Sequence, residues 1–99
     1  EYAADHLDCK LVVVLGHNHC GAVEAAIKHD PDGHIKYITD DIRVAIKEEK
    51  DEYIATCLNV KHSVKVIEDN TDMKLLEEKG LEVIGAVYHL EDGHVEFLE

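Results

Sequence analysis

The feature that most constrains the fold is a run of five apolar residues, Leu11 to Leu15, whose middle three are β-branched valines. A continuous run of this kind favours a strand that is buried on both faces, as in a parallel sheet. We expect Gly16 to end the strand and residues 17–21 to form a tight turn. Residues 22–28 then have the composition of a helix. A strand, a tight turn and a helix in this order indicate an α/β fold.

Apolar periodicity predicts further helices along the chain. Residues 2–7 are expected to be the end of a helix, residues 35–46 carry apolar side chains at helical spacing, and residues 53–67 form a long amphipathic stretch. A short helix is expected to begin near Thr71, which is a plausible cap, and to be closed by Gly80.

The C-terminal part predicts two strands. Residues 81–90 have the pattern of a strand, Asp92-Gly93 favours a hairpin turn, and residues 95–98 return as an edge strand. Residues 30–33, Asp-Pro-Asp-Gly, have the chemistry of a loop. No repeat and no shift in composition divides the chain. We therefore expect residues 1–99 to form a single α/β domain with a mostly parallel sheet flanked by helices.

The charge balance limits the classes of partner. The chain has 22 acidic residues against 10 basic ones, for a net charge of -12. Nucleic acids and anionic membrane surfaces repel such a chain, so neither is expected as a partner. No apolar run approaches the ~18 residues of a transmembrane span. Three scattered cysteines do not resemble a secreted disulfide framework, which favours a reducing compartment and a cytoplasmic location.

The segment Gly16-His17-Asn18-His19-Cys20-Gly21 carries the clearest chemistry. Imidazole and thiolate are both good zinc ligands, and the spacing of three lets a tight turn aim His17 and Cys20 at one point. The turn follows the carboxyl end of the predicted strand, where α/β sheets bind ligands. Gly16 and Gly21 would permit a sharp bend and a close approach of the backbone on either side, and the free N–H groups of the next helix would favour a thiolate and a bound anion. The spacing alone leaves zinc binding and a chance occurrence equally open, and the strand-turn-helix context favours zinc.

Other candidate ligands are weaker. His19 is either a third ligand or, as we expect, a residue that lines or flanks the pocket. Cys9 precedes the strand, about 17–20 Å from the motif along it, and so cannot complete the site within one chain. Cys57 lies on an apolar helix face and is expected to be a core residue. The acidic residues between Glu48 and Glu52 are expected to form a solvated face.

Three segments together resemble the β-class carbonic anhydrases. Residues 1–3, Glu-Tyr-Ala, followed by residues 11–23, are similar to the central motif of that family. Asn59-Val60 within the long helix and residues 83–93, which end in Glu-Asp-Gly, are similar to later parts of it. These segments cover nearly the whole chain in the order that the family has them, and the central motif is the most specific of the three.

The resemblance implies a zinc lyase that hydrates carbon dioxide reversibly to bicarbonate through a hydroxide formed on the metal. It implies that His17 and Cys20 are zinc ligands. It further implies that Gly21 offers its backbone N–H to the substrate and that Tyr2 lines the substrate pocket. The family fold is a mostly parallel sheet flanked by helices, and its members form dimers or larger homo-oligomers.

The sequence departs from the family in one respect. The family has an earlier Cys-x-Asp-x-Arg segment, which supplies a second cysteine ligand and an Asp-Arg pair beside the metal, and this chain has no such segment. We therefore expect those residues to lie outside the chain, which is then either a fragment or a short form, and we assign no catalytic residue within it. Two protein ligands are fewer than the three expected in a catalytic zinc site.

Two alternatives to a carbonic anhydrase follow. The first is a non-catalytic relative with a weak or absent zinc site, which the missing segment suggests. The second keeps the fold and the zinc but takes carbonyl sulfide or carbon disulfide as substrate, because sister enzymes with that chemistry share the motif.

Overall fold

The computed structural model describes residues 6–28 and 36–98. Within these ranges the strands are β1 (Leu11–His17), β2 (Glu82–Tyr88) and β3 (Val95–Leu98). The helices are α1 (Gly21–Lys28), α2 (Lys36–Ile46), α3 (Glu52–Asp69) and α4 (Thr71–Glu78). The strands and helices predicted from residue 11 onward are confirmed, with their ends shifted by a few residues. The predicted loop at residues 30–33 and residues 2–5 of the predicted first helix lie outside the described residues.

The three strands form one mixed sheet in the order β1-β2-β3. β1 and β2 are parallel, with Leu11 opposite Glu82 and His17 opposite Tyr88 at the two ends of the pairing. β3 runs antiparallel to β2. The hairpin between them turns at Asp92-Gly93, as predicted, with Gly93 at φ 76°. This hairpin brings residues 89–94 to the same edge of the sheet as the turn that follows β1.

β1 is not buried on both faces, so that prediction is wrong. The strand also continues through Gly16 to His17. Its residues alternate between half-buried and exposed: Leu11, Val13 and Leu15 are 53%, 43% and 56% exposed. β1 is the outer strand of the described sheet. The half-buried residues of β1 face α3, which packs on that side of the sheet. The exposed apolar side chains point to the other face, where no element among the described residues covers them.

Two glycines allow α3 to pack closely on the sheet. A Cβ atom on Gly16 would lie 2.6 Å from Val60 Cγ2, and one on Gly85 would lie 2.8 Å from Val60 Cγ1. Real Cβ atoms do not approach so closely, because interiors are packed to their van der Waals limits. Val60 therefore fills a groove that is formed by the absence of two side chains on neighbouring strands.

The helices enclose the main core. Side chains of α1, α2 and α3 form one buried cluster, which comprises Val23, Ala26, Ile42, Ile46 and Ala55. A smaller cluster joins Met73 of α4 to Leu81, with Val12 of β1 packed against it. Among the described residues, no helix is long and apolar enough to cross a membrane.

The cap of α4 differs from the prediction. Asn70, rather than Thr71, caps α4, because its side chain accepts a hydrogen bond from the N–H of Met73.

Asp51 caps α3 by accepting a hydrogen bond from the N–H of Ile54 at 3.0 Å. Glu52, the next residue, is half-buried. The acidic segment 48–52 is therefore not simply a solvated face. The side chain of Asp51 accepts a backbone hydrogen bond, and the side chain of Glu52 lies near the turn between β1 and α1. Gly80 follows α4 at φ 107°, as predicted for a closing glycine.

Polar contacts hold the hairpin to α3. The hydroxyl of Tyr53 donates to the carboxylate of Glu96 at 2.6 and 2.7 Å, and His89 Nε2 lies 3.0 Å from Glu96 Oε1. The His89 ring stacks on that of His94, with 4.1 Å between ring centroids. The end of the hairpin is thereby fixed next to the N-terminal turns of α3.

Candidate metal centre

His17 is the last residue of β1 and lies on the exposed face of the sheet. It lines a cleft of about 240 Å³ together with the apolar side chains of Leu15, Tyr88 and Leu90. Its Nδ1 donates to the backbone carbonyl of Asn18 at 2.7 Å. In a neutral imidazole that donates from Nδ1, Nε2 carries the lone pair that can bind a metal.

Cys20 immediately precedes α1. Its backbone carbonyl accepts from the N–H of Glu24 at 3.0 Å, which is the first hydrogen bond of the helix. The thiol is free and half-buried, and the residue packs against the buried cluster of α1, α2 and α3. Cys20 thus occupies the position before the first residue of α1, whose first N–H groups have no acceptor within the helix.

His19 provides the bend in this turn. It has φ 54°, whereas Gly16 belongs to the strand and Gly21 begins the helix. The prediction that flanking glycines make the sharp turn is therefore wrong, whereas the predicted close approach is found at Gly16. Gly16 is needed for the approach of α3, and a Cβ on Gly21 would have no neighbour within 4 Å.

Asn18 ties the turn to the hairpin. Its amide nitrogen donates to both carboxylate oxygens of Glu91, at 2.8 and 2.6 Å. Its side-chain oxygen accepts from the N–H of Leu90 at 2.9 Å, and its own N–H donates to the carbonyl of Tyr88 at 3.2 Å. The backbone between His17 and Cys20 is therefore held on both sides of Asn18.

The side chain of His19 extends toward carboxylates. Its Nε2 donates to Glu91 at 2.7 Å and its Nδ1 lies 3.6 Å from Glu52 Oε1. The hydrogen bond to Glu91, with the nearby charges of Glu52 and Glu24, raises the pKa of His19. The pKa of Glu91 is lowered, first by the amide of Asn18 and also by His19. His19 lines a cleft of about 270 Å³ beside the turn, together with Asn18, Asp51, Glu52, Tyr53 and Glu91.

His17 and Cys20 fit two positions of a zinc site, by the free Nε2 of one and the free thiol of the other. Among the described residues, no third histidine, cysteine or carboxylate joins them in a group of potential ligands. Their assignment as ligands, and that of Gly21 as a substrate-binding residue, stays a prediction. Tyr2, predicted to line the pocket, lies outside the described residues.

The sequence did not point to Glu24, Glu52 or Glu91. Glu24 stands four residues after Cys20, one helical turn away, and this spacing was the available local signal. Glu52 and Glu91 are 33 and 72 residues from His19, so local patterns contain no trace of their contacts with it.

Comparison with known proteins identifies relatives of the whole chain. The family model described as carbonic anhydrase matches residues 1–95. A carbonic anhydrase of Mycolicibacterium smegmatis is 31% identical over 108 residues, which cover 97% of this chain and 52% of that protein.

Solved structures agree with this match. The β-carbonic anhydrase CafA of Aspergillus fumigatus superposes with a TM-score of 0.85 at 28% identity. The match covers 100% of this chain and 53% of the CafA chain. The Coccomyxa β-carbonic anhydrase gives a TM-score of 0.86 at 27% identity over 99% of this chain and 50% of its own. This chain thus spans about half the length of these relatives. It belongs to the β-class carbonic anhydrase family.

Proposed function

We propose that this chain contributes part of the zinc site of a carbonic anhydrase, which converts carbon dioxide and water reversibly to bicarbonate and a proton. The observation that carries the proposal is the turn between β1 and α1. It presents an imidazole with a free Nε2 and a free thiol three residues apart, beside the N-terminus of a helix. Membership of the family supports the same assignment.

In this proposal His17 and Cys20 hold the zinc ion. When bound, zinc lowers the pKa of water toward ~7 and so supplies a nucleophile at neutral pH. The backbone N–H of Gly21, the first residue of α1, donates to the anionic product, since N–H groups at a helix start have no acceptor of their own. Tyr2 lines the pocket for carbon dioxide. The Asp-Arg pair and the second cysteine come from residues outside this sequence.

We also propose a homo-oligomer in the cytoplasm. The apolar face of the sheet that no described element covers, with Leu11, Val13 and Leu15, supports association. The β-carbonic anhydrases of Sordaria macrospora are described as tetrameric. The three cysteines are free, as expected in a reducing compartment.

Zinc content of single variants tests the ligand assignment. We expect the Cys20→Ala and His17→Ala variants to lose zinc that the unmodified chain retains after dialysis, measured by elemental mass spectrometry. Cys9→Ala is the matched control, because Cys9 is an exposed free thiol outside the turn. Equal zinc in Cys20→Ala and Cys9→Ala would remove Cys20 from the site.

A second candidate is a domain of this family that binds zinc weakly and does not catalyse. It is favoured by the lack of a third ligand beside His17 and Cys20 among the described residues. Stopped-flow measurement of carbon dioxide hydration separates the two candidates. Turnover by the 99-residue chain loaded with zinc would exclude the non-catalytic candidate. Zinc binding without turnover, even at high protein concentration, would favour it.

A further inference from the structure

A second group of potential metal ligands lies beside the turn and uses neither His17 nor Cys20. The ligand atoms of His19, Glu24 and Glu52 all lie within 4.8 Å of one another. His19 comes from the turn, Glu24 from the first turn of α1 and Glu52 from the first residue of α3. Three separate elements therefore direct one nitrogen and two carboxylates at a common point.

The hydrogen bond of His19 Nε2 places Nδ1 beside Glu52, where the neutral ring would present its lone pair. Nε2 donates to Glu91, and Glu91 is itself held by the amide of Asn18. A neutral imidazole that donates from Nε2 carries its lone pair on Nδ1, and Nδ1 lies 3.6 Å from Glu52 Oε1. A carboxylate that accepts from the outer nitrogen of a metal-binding histidine is a recurring arrangement, because it fixes both the tautomer and the ring orientation.

One oxygen of this group has no hydrogen bond. The Oε1 atom of Glu52 is shielded from solvent although its side chain is 29% exposed; it lies 3.6 Å from His19 Nδ1, and no donor among the described residues makes a hydrogen bond with it. Buried carboxylate oxygens nearly always have a partner, because leaving one desolvated and unpaired costs free energy. A cation between Glu52 Oε1, Glu24 and His19 Nδ1 would give that oxygen a partner. It would also reduce the electrostatic repulsion between the two carboxylates.

We propose that His19, Glu24 and Glu52 bind a divalent transition-metal ion of the Zn²⁺ type, at a site additional to the His17–Cys20 pair. One imidazole and two carboxylates suit Zn²⁺ and its neighbours, whereas Mg²⁺ and Ca²⁺ prefer sites made of oxygen alone. The ion would join the β1–α1 turn to the start of α3, and Glu91 would act as a positioning residue for His19.

Calorimetric titration with Zn²⁺ on the Cys20→Ser chain tests the proposal, because this variant removes the thiolate of the other pair. We expect one equivalent to bind. Adding E24Q and E52Q, which keep the side-chain shape and remove both charges, should weaken binding by at least roughly tenfold. The same chain with E78Q and E82Q is the matched control, since those exposed glutamates change the net charge equally elsewhere.

Two results would overturn the proposal. In the first, Cys20→Ser binds no Zn²⁺. In the second, E24Q/E52Q and E78Q/E82Q, each added to Cys20→Ser, weaken Zn²⁺ binding to the same extent. Thermal unfolding monitored by circular dichroism shows whether each variant is folded. It gives a second readout, because Zn²⁺ at a fixed concentration should raise the unfolding midpoint of Cys20→Ser more than that of Cys20→Ser/E24Q/E52Q.

Cobalt spectra separate this proposal from the proposed function. Co²⁺ on the His17–Cys20 pair gives a thiolate-to-metal charge-transfer band, and Co²⁺ on His19, Glu24 and Glu52 does not. We expect E24Q/E52Q to keep the thiolate band and Cys20→Ser to lose it while still binding Co²⁺. If E24Q/E52Q showed no thiolate band while Cys20→Ser still bound Co²⁺, the proposed function would be contradicted. If Cys20→Ser bound no Co²⁺ while E24Q/E52Q kept the thiolate band, the second site would be contradicted.

Discussion

At the scale of single residues, Gly16 has the most constrained position. Its place on β1 leaves no room for a side chain, because Val60 Cγ2 lies 2.6 Å from where a Cβ would be. We expect Gly16→Ala to lower the free energy of unfolding by about 1–3 kcal/mol, as overpacked cores do. Urea unfolding followed by circular dichroism measures the change. Gly21→Ala is the control, because a Cβ there would have no neighbour within 4 Å.

The double variant Gly16→Ala/Val60→Ala checks the cause. Removing the Val60 methyl groups should recover part of the loss seen in Gly16→Ala, so the two substitutions should be non-additive, as expected for residues in contact. If Gly16→Ala were as stable as Gly21→Ala, the close approach of α3 to β1 would not depend on this glycine.

At the scale of elements, the junction of α3 and α4 depends on Asn70. Its side chain caps α4 through Met73, while its backbone N–H donates to the carbonyl of Ile67 at the end of α3. We expect Asn70→Ala to destabilise the chain by about 0.5–2 kcal/mol, the usual cost of a lost N-cap. Asn70→Ser should retain most of the stability, measured by urea unfolding. Thr71→Ala should reduce the free energy of unfolding less than Asn70→Ala does. A larger loss in Thr71→Ala would instead identify Thr71 as the cap, as the sequence alone suggested.

The hairpin and α3 are joined by a bond that depends on pH. The pKa of Glu96 is held below its ordinary value of 4.5, first by the Tyr53 hydroxyl and then by His89. Because the folded-state pKa is lowered, the stabilisation is present above pH 4.5 and is lost as the pH falls through the lower folded value.

We therefore expect Tyr53→Phe to be less stable than the unmodified chain at neutral pH, with a difference that shrinks as the pH falls below 4.5. Urea unfolding across a pH series measures this difference. Tyr37→Phe serves as the control, since Tyr37 is 84% exposed. A difference that stayed constant down to strongly acidic pH would mean that the Glu96 charge is not involved.

At the scale of the whole molecule, one face of the sheet exposes apolar side chains among the described residues. Leu15 on β1 and Phe97 on β3 are 56% and 65% exposed, and the strand pairings place both beside Ala86 on the same face. Contiguous apolar surface of this kind favours association.

We expect the 99-residue chain to self-associate with increasing concentration, and Leu15→Lys/Phe97→Lys to shift it toward the monomer in sedimentation-velocity experiments. Val66→Lys is the control, because Val66 is similarly exposed but lies on α3. Equal shifts by both variants would indicate a general effect of positive charge on this acidic chain, rather than contact through the sheet.

The sequence predicted most of the elements because their signals are local. The apolar run of β1, the helical spacing of α2 and α3 and the Asp-Gly hairpin turn each depend on neighbouring residues, and each lies where it was expected. Errors occurred where a local pattern permitted two outcomes. Five apolar residues in a row suit a strand buried on both faces, yet β1 is covered on one face in the described structure. Two neighbours could cap α4, and the side chain of Asn70 is the one that reaches the backbone.

The sequence by itself determined the α/β character, the chain order of the elements and the presence of His17 and Cys20 in one turn, because these follow from local patterns. Only the tertiary structure decided the reason for Gly16 and the surroundings of His19. Val60 lies 44 residues beyond Gly16. Glu24, Glu52 and Glu91 meet His19 because the start of two helices and a hairpin converge on one edge of the sheet. Such contacts arise from packing between distant segments, which no local pattern records.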